Sequence, residues 1–405
     1  MPSSTLSRRS LLAGAGGLTT GLAGCAAFED SSVTEESASF PTGEWPQVAR
    51  DATNTGFYPD ATVPSKVTRA WDVSLGGWPY TSPIVGSDRV FIAMEKTLAG
   101  IAAAGGETEF EADLPHEPGG TPAYDSAEST VYVPTYDRTT EEDGAFVHAF
   151  DAEDGRETWT RKVGDESVYG LTLRDGTIYA RTSEAVVALA DGEEVWRHEG
   201  LGPLAYSEYN IHDSLDLTGN VAPAVTGETV YVPVRHGVLA LDSETGERRW
   251  RADVRYALGL SVGEAGVYAQ GYEQFRAFAR DGSGRWTRDD VGGISSPTLG
   301  RDAVYAKDGS RLRELDPKTG ETRWSFDLRT GVDSAPSPVL ENAVIAPSHR
   351  AVAIRRGNGL GAEVSGRKLW ATDFDPATFA APAVGAGLLL LVDPFRYRLV
   401  ALEAA

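Results

Sequence analysis

A ten-residue string, "LDSETGERRW" at 241–250, returns almost unchanged as "LDPKTGETRW" at 315–324. A catalytic loop has no reason to recur, so these acids and arginines belong to a repeated structural unit. Its most regular strand can be followed as "VFIA" (90), "VYVP" (131), "IYAR" (178), "VYVP" (230), "VYAQ" (267), "VYAK" (304), "VIAP" (344) and "LLLL" (388). Each copy strings together a small residue with Pro, a short apolar strand, this Val-Tyr strand, an Ala-Leu-Asp strand, a Gly turn and a strand bearing an aromatic residue. That last position is filled in turn by Phe110, Trp159, Trp196, Trp250, Trp286, Trp324 and Trp370.

A four-stranded unit of ~40 residues repeated four to eight times is the sequence signature of a β-propeller. The eighth copy ends at "RLVALEAA" without a Trp strand, whereas "KVTRAWDVSL" at 66–75 is a Trp strand with no blade before it. Each end lacks what the other supplies, and an open array would leave both edges unpaired. The prediction is an all-β fold: an eight-bladed β-propeller of four-stranded antiparallel blades. The Trp71 strand pairs with the last blade, so residues 45–405 form one domain. Within it, Pro83, Pro122, Pro223, Pro297, Pro336 and Pro382 should begin innermost strands, whose free side needs no N–H. Asp242 and Gly246 suit a tight turn between third and fourth strands. The Trp that follows can pack across the gap between blades, burying roughly 150–250 Å².

The Trp-anchored "ALDxxTGxxxW" hairpin is similar to the quinoprotein, or PQQ, repeat. That repeat builds eight-bladed pyrroloquinoline-quinone dehydrogenases and also the non-enzymatic outer-membrane assembly lipoprotein BamB. The opening "WPQVARDATNTGFYPD" at 45–60 resembles the "W…D…NTG" segment of archaeal proteins with PQQ-like propellers. The resemblance covers nearly all of residues 45–405 and implies the fold; because the repeated residues are structural, it leaves function open. In the quinone enzymes it would imply PQQ and Ca²⁺, often with a pair of adjacent cysteines. This chain has Cys25 alone, no haem-attaching C-x-x-C-H, and no segment that matches the Ca²⁺-binding set.

The N-terminus adds an address. Arg8 and Arg9 precede a Gly-rich, weakly apolar run from Leu11 to Ala23 and then Leu22-Ala23-Gly24-Cys25. The run is too short and too polar for a stable span. The arginine pair resembles a twin-arginine export signal, and Leu-Ala-Gly-Cys resembles a lipobox in which Cys25 is lipidated. Residues 1–24 are therefore expected to be a signal peptide, and 25–44, acidic and Ser-rich, a disordered tether. The protein should be exported and anchored through Cys25 at the outer face of the cytoplasmic membrane.

Acidic residues outnumber basic ones by 59 to 37, for a formal net charge of −22. With six lysines among the cations, the balance resembles that of proteins from salt-loving archaea. Such a surface repels nucleic acid, which is excluded as a partner. No nucleophile elbow, phosphate loop, H-E-x-x-H or paired-Cys zinc motif is present, and "DAEDG" at 151–155 lacks the alternating acids of a Ca²⁺ loop. No catalytic or metal-binding residues are assigned.

Function is instead sought where blades depart from the rule. The second-to-third connections, and those from a fourth strand to the next blade, share one face of a propeller. Two insertions use those slots: "TYDRTTEEDGA" (135–145), with Tyr136 and Arg138, and "EGLGPLAYSEYNIHDSLDLTG" (199–219), with Tyr206, Tyr209, His212 and Asp213. Shorter connections on the same face carry Trp78, Tyr80, His116, His236 and Tyr256. Two more carry His349 with Arg350, and Phe395 with Tyr397. Aromatic and Arg-bearing loops on a rigid scaffold suit recognition. His116, His212, His236 and His349 come from separate blades, which argues against a shared metal. The third long gap, 355–367, falls in a hairpin slot on the opposite face. The expected function is a binding or scaffolding platform for a protein partner or small ligand. The alternative is a PQQ-dependent alcohol or sugar dehydrogenase that uses the channel. If Cys25 is the anchor, Cys25→Ser shifts the protein from the membrane fraction to the medium, as read by immunoblot of both; retention on the membrane would refute lipidation.

Overall fold

The computed structural model describes residues 39–79, 81–137, 144–202, 204, 221–329, 335–348, 350–357, 366–374, 376 and 380–405. Its sheets are eight antiparallel blades in chain order, each running from an innermost strand to an outermost one. Blade 4 is typical, with Ala224–Val225, Thr229–Val234, Gly237–Asp242 and Arg248–Ala252 in spatial order. Apolar clusters straddle neighbouring blades: Val147 and Ala149 of blade 2, for example, share one with Leu171 and Ile178 of blade 3. The core is thus a set of layers between blades, because each sheet has two apolar faces and only another blade can cover them.

The predicted closure is present. Strand Val67–Ser74 pairs antiparallel with Arg398–Ala404, placing Trp71 opposite Ala401 on the outside of blade 8. Most innermost strands start directly after the predicted prolines. In blade 7 the strand begins at Val339, after Pro338 and three residues beyond Pro336.

The repeated motif acts between blades. Gly246 has φ +70°, and a Cβ there would lie 2.5 Å from the Trp196 ring of the preceding blade. The Trp196 indole N–H donates to Ser243 O at 2.9 Å in the same hairpin. Gly282 faces Trp250, and Gly320 faces Trp286, in the same way. Their indoles donate to Arg280 O at 2.8 Å and Pro317 O at 3.1 Å. Blade 8 has no such hairpin, since its outer strand comes from the other end of the chain. There Trp370 donates instead to Pro64 O at 2.9 Å, just before the closing strand.

The turn acids are local. Asp242 accepts the backbone N–H of Glu244 and Thr245, both at 3.0 Å, and pairs with Arg249 at 2.8 Å. The Arg249 contact and these N–H bonds hold its carboxyl down to about 2. Asp316 and Arg323 repeat the pairing at 2.8 Å.

Folding reaches further back than Trp45. Phe40 is buried in the core layer around blades 7, 8 and 1, and Gly43 O accepts Ala386 N–H at 3.1 Å. The expected tether therefore gives up its last residues to the fold. From there one segment visits the innermost strands in order. Trp45 exchanges two backbone bonds with Val85 of blade 1, and Pro46 O accepts Tyr124 N–H of blade 2. Gln47 brackets the Leu173 peptide of blade 3. Ala52, Thr53, Thr55 and Gly56 carbonyls accept Val225, Val262, Leu299 and Val339 of blades 4 to 7. Phe57–Tyr58 then runs parallel to Val339–Leu340. The segment is a belt on the inner strand edges, at the mouth that carries the first-to-second turns.

In this belt the Asn54 side chain, 3% exposed, donates to Ala222 O and Pro223 O at 3.0 and 3.2 Å. A Cβ on Gly56, at φ +62°, would meet Thr298 at 2.8 Å. The Asn-Thr-Gly string is thus a joint between blades 4 and 6.

The Trp–Gly contact can be isolated from backbone strain, because Gly176 has φ +76° but nothing within 4 Å of its Cβ position. Gly176→Ala should cost about 1–2 kcal/mol for the left-handed backbone. Gly246→Ala should cost about 1–3 kcal/mol more, for overpacking against Trp196. Urea denaturation measures both, and the excess should shrink in a Trp196→Ala background.

Candidate binding face

The face carrying the second-to-third and blade-to-blade connections holds the described candidates in small groups. Trp78 lies in the connection from the closing strand into blade 1, and its ring meets that of Tyr397 edge-on at 5.5 Å. Tyr397 sits in the blade 8 turn at φ +51°, and its carbonyl accepts Leu75 N–H at 2.7 Å. Phe395, two residues earlier, is 77% exposed and Tyr397 45%. His236 lies 6.0 Å from the Tyr256 ring, itself at φ +51°. The Tyr136 hydroxyl reaches Glu117 at 3.4 Å at the base of the first insertion. Arg350 is exposed, its backbone braced by Ser348, whose hydroxyl donates to Arg350 O at 2.6 Å. Tyr80, Arg138, Tyr206, Tyr209, His212, Asp213 and His349 lie outside the described residues. The expected face is therefore populated at separate points around the ring.

A polar centre in blade 2 was not foreseen. The His148 side chain, 1% exposed, places Nε2 2.8 Å from Thr135 Oγ1 and Nδ1 2.8 Å from Glu157 Oε1. Thr160 Oγ1 lies 2.9 Å from the same Nδ1. His116 stacks on Phe146 at 4.7 Å and approaches Asp137 at 3.4 Å, an ion-pair distance without hydrogen-bond alignment. Burial lowers the His148 pKa, outweighing the hydrogen bond to Glu157 that pulls the other way. For Glu157, burial pushes upward but the bonds from His148 and Thr160 win, so its carboxyl lies below the ordinary range. The arrangement holds a neutral imidazole against a carboxylate, with Thr135 at the start of the first insertion and Glu157 just after the hairpin of the opposite face. The signal was available: "FVHAFD" has His where blade 4 has Leu239 in "GVLALD".

Three further buried polar side chains follow the Val-Tyr-Ala strand in blades 3, 5 and 6. Arg181, fully buried, donates to Gly202 O at 3.1 Å and lies over the Tyr169 ring. Gln270 and Lys307 donate to Lys307 O and Ala335 O of the next blade. In sequence these served only as strand markers. Among the described residues, no three His, Cys, Asp or Glu side chains gather where they could hold a metal.

Comparison with known proteins places this geometry. The family described as outer membrane protein assembly factor BamB matches residues 94–260 and 235–360. The chain belongs to that BamB family. Its match to BamB of Alkalilimnicola ehrlichii is 32% identical over 149 residues, 33% of this chain and 39% of that protein. The crystal structure of BamB from Moraxella catarrhalis superposes with TM-score 0.61 at 16% identity, over 83% of this chain and 97% of that one. A quinohemoprotein alcohol dehydrogenase from Pseudomonas putida HK5 gives TM-score 0.67 at 13% identity, over 90% and 80%. Likeness at this identity is likeness of fold. Trp78, Phe395 and Tyr397 lie outside the residues matched to the family.

The lowered His148 pKa has a definite sign. Between the folded value and the unfolded value of ~6.5, the unfolded chain binds more protons. The contribution to stability is therefore complete above ~6.5 and is lost as pH falls through the folded value. Melting midpoints from pH 7 to pH 5 should drop more steeply for the wild type than for His148→Gln; parallel profiles would exclude His148 as their source.

Proposed function

We propose that this protein is a non-catalytic scaffold that binds a protein partner through the face carrying the two insertions. The observation that carries this reading is family membership combined with where the chain departs from its own repeat. The regular hairpins of the opposite face are filled by Trp–Gly packing and local turns, whereas the insertion face holds the exposed rings of Tyr272, Phe395 and Tyr397. A rigid ring with variable loops on one side is suited to holding partners in register. Residues 1–24 act as a twin-arginine signal peptide in this proposal, with a lipid on Cys25 and a short acidic tether before the propeller. The partner is then met at the outer face of the membrane, and a small ligand on the same loops is compatible with the surface.

The second reading is PQQ-dependent oxidation of an alcohol or sugar in the channel, favoured by the fold likeness to the quinohemoprotein dehydrogenase over 90% of the chain. The residues present do not match that group well. Cys25 is the single cysteine, and no acidic or histidine cluster suited to Ca²⁺ occurs among the described residues. No chemical step through a quinone is therefore assigned.

Photo-reactive residues at positions 136 and 236, on the insertion face, should give the same discrete cross-linked species in intact cells. Position 244, in a hairpin of the opposite face, should give none. Equal cross-linking from both faces would defeat the scaffold proposal, as would dye reduction by the purified protein with PQQ, Ca²⁺ and ethanol or glucose.

A further inference from the structure

The second-to-third turn of blade 8 differs from most of its counterparts; of these, blade 5 also exposes a ring, Tyr272. The equivalent turns carry Glu95–Lys96 in blade 1, Ser183–Glu184 in blade 3 and Gly309–Ser310 in blade 6. Blade 8 presents Pro394-Phe395-Arg396-Tyr397, with Phe395 the most exposed large apolar side chain among the described residues. A Tyr at φ +51° is conformationally costly, and such strain persists where surrounding structure enforces it. Here the Leu75 N–H and the Trp78 ring hold Tyr397 in place. Trp78 and Tyr397 thus form a braced aromatic shelf between blade 8 and blade 1, with the exposed Phe395 two residues away on the same turn.

Its charges are asymmetric. Arg396 is paired with Asp393 at 3.0 Å, and Arg398 is paired with Asp72. Beside Trp78, the Glu95 carboxylate comes within 3.5 Å of the Cβ position of Gly77, and that of Glu111 within 4.0 Å of the Cβ position of Gly76. Both acids are exposed and neither joins an ion pair among the described residues. Lys96 follows Glu95, so the rim carries two carboxylates against one cation, in a chain of net charge −22.

We infer that this shelf docks an arginine-bearing, partly apolar segment of a partner protein. A guanidinium stacks on the rings while its charge is met by Glu95 and Glu111, and the adjoining apolar side chain covers Phe395. The inference deepens the scaffold reading and rests on it, by assigning the chemistry of the partner segment and one place where it binds.

The test is titration of a fluorescent synthetic peptide alternating arginine and leucine against the full chain, with its citrulline counterpart as the neutral isostere. Phe395→Ser, at an exposed site, should weaken binding about tenfold with an unchanged melting midpoint. Glu95→Gln with Glu111→Gln should do likewise. Glu153→Gln with Glu244→Gln, which removes the same charge from the opposite face, should change affinity less than about twofold if long-range attraction is minor. Equal binding of the citrulline peptide, equal loss in the opposite-face control, or full binding by Phe395→Ser would overturn the inference. So would a Phe395-dependent dimer in sedimentation, which would assign the shelf to a second copy. If cross-links from positions 136 and 236 persist while Phe395→Ser binds the peptide normally, the scaffold stands and the shelf falls.

Discussion

The contact on which the ring depends is an indole of one blade lying against a glycine of the next. A four-stranded sheet with two apolar faces cannot be stable by itself, so each blade needs a fixed relation to both neighbours. The Trp–Gly pair supplies one by steric means, since the ring fills the space a Cβ would take, and by a directed bond from the indole N–H to the same hairpin. Glycine meets two requirements at once, a left-handed backbone and an absent side chain. The recurring acids serve that turn: Asp242 and Asp316 hold the backbone that presents the glycine and tie it to Arg249 and Arg323.

A second constraint lies at the centre. Eight innermost strands leave eight unpaired edges around the channel, a cost in unmet backbone groups unless something pairs with them. The belt from Pro41 to Val63 meets part of that demand in every blade before the chain enters the outside of blade 8. One stretch of chain therefore braces the inner rim and closes the outer ring, coupling the first residues of the fold to its last strand.

Scaffold and belt account for one face, and the exposed rings lie on the other. His148 and Glu157 are buried or half-buried within blade 2, a placement that favours the neutral imidazole. The blade 8 turn instead exposes Phe395 and Tyr397. The first arrangement is internal to blade 2, whereas the second is apolar and aromatic surface open to solvent. Both suit a protein whose blades do the same structural work and whose connections differ.

The number of blades, the closure by the Trp71 strand and the tight turns at the hairpin glycines were legible because each is written in a repeating pattern, and periodicity survives without coordinates; that these glycines also make room for an indole was not. The face on which Trp78, Tyr136, His236 and Phe395 sit was also readable, since strand alternation in a blade assigns every connection to one side. Grouping was not. Trp78 and Tyr397 are more than three hundred residues apart and meet only because the ring closes, while Asn54 stands in sequence only as part of the "W…D…NTG" segment until the belt sets it among carbonyls of blades 4 and 5. His148 escaped because one polar residue in an apolar strand does not reveal its partners. Sequence by itself determined the unit, its count and its order, for those depend on local pattern and turn chemistry. Tertiary structure decided which side chains share a site, because that depends on how strands far apart in the chain are brought edge to edge around a common axis.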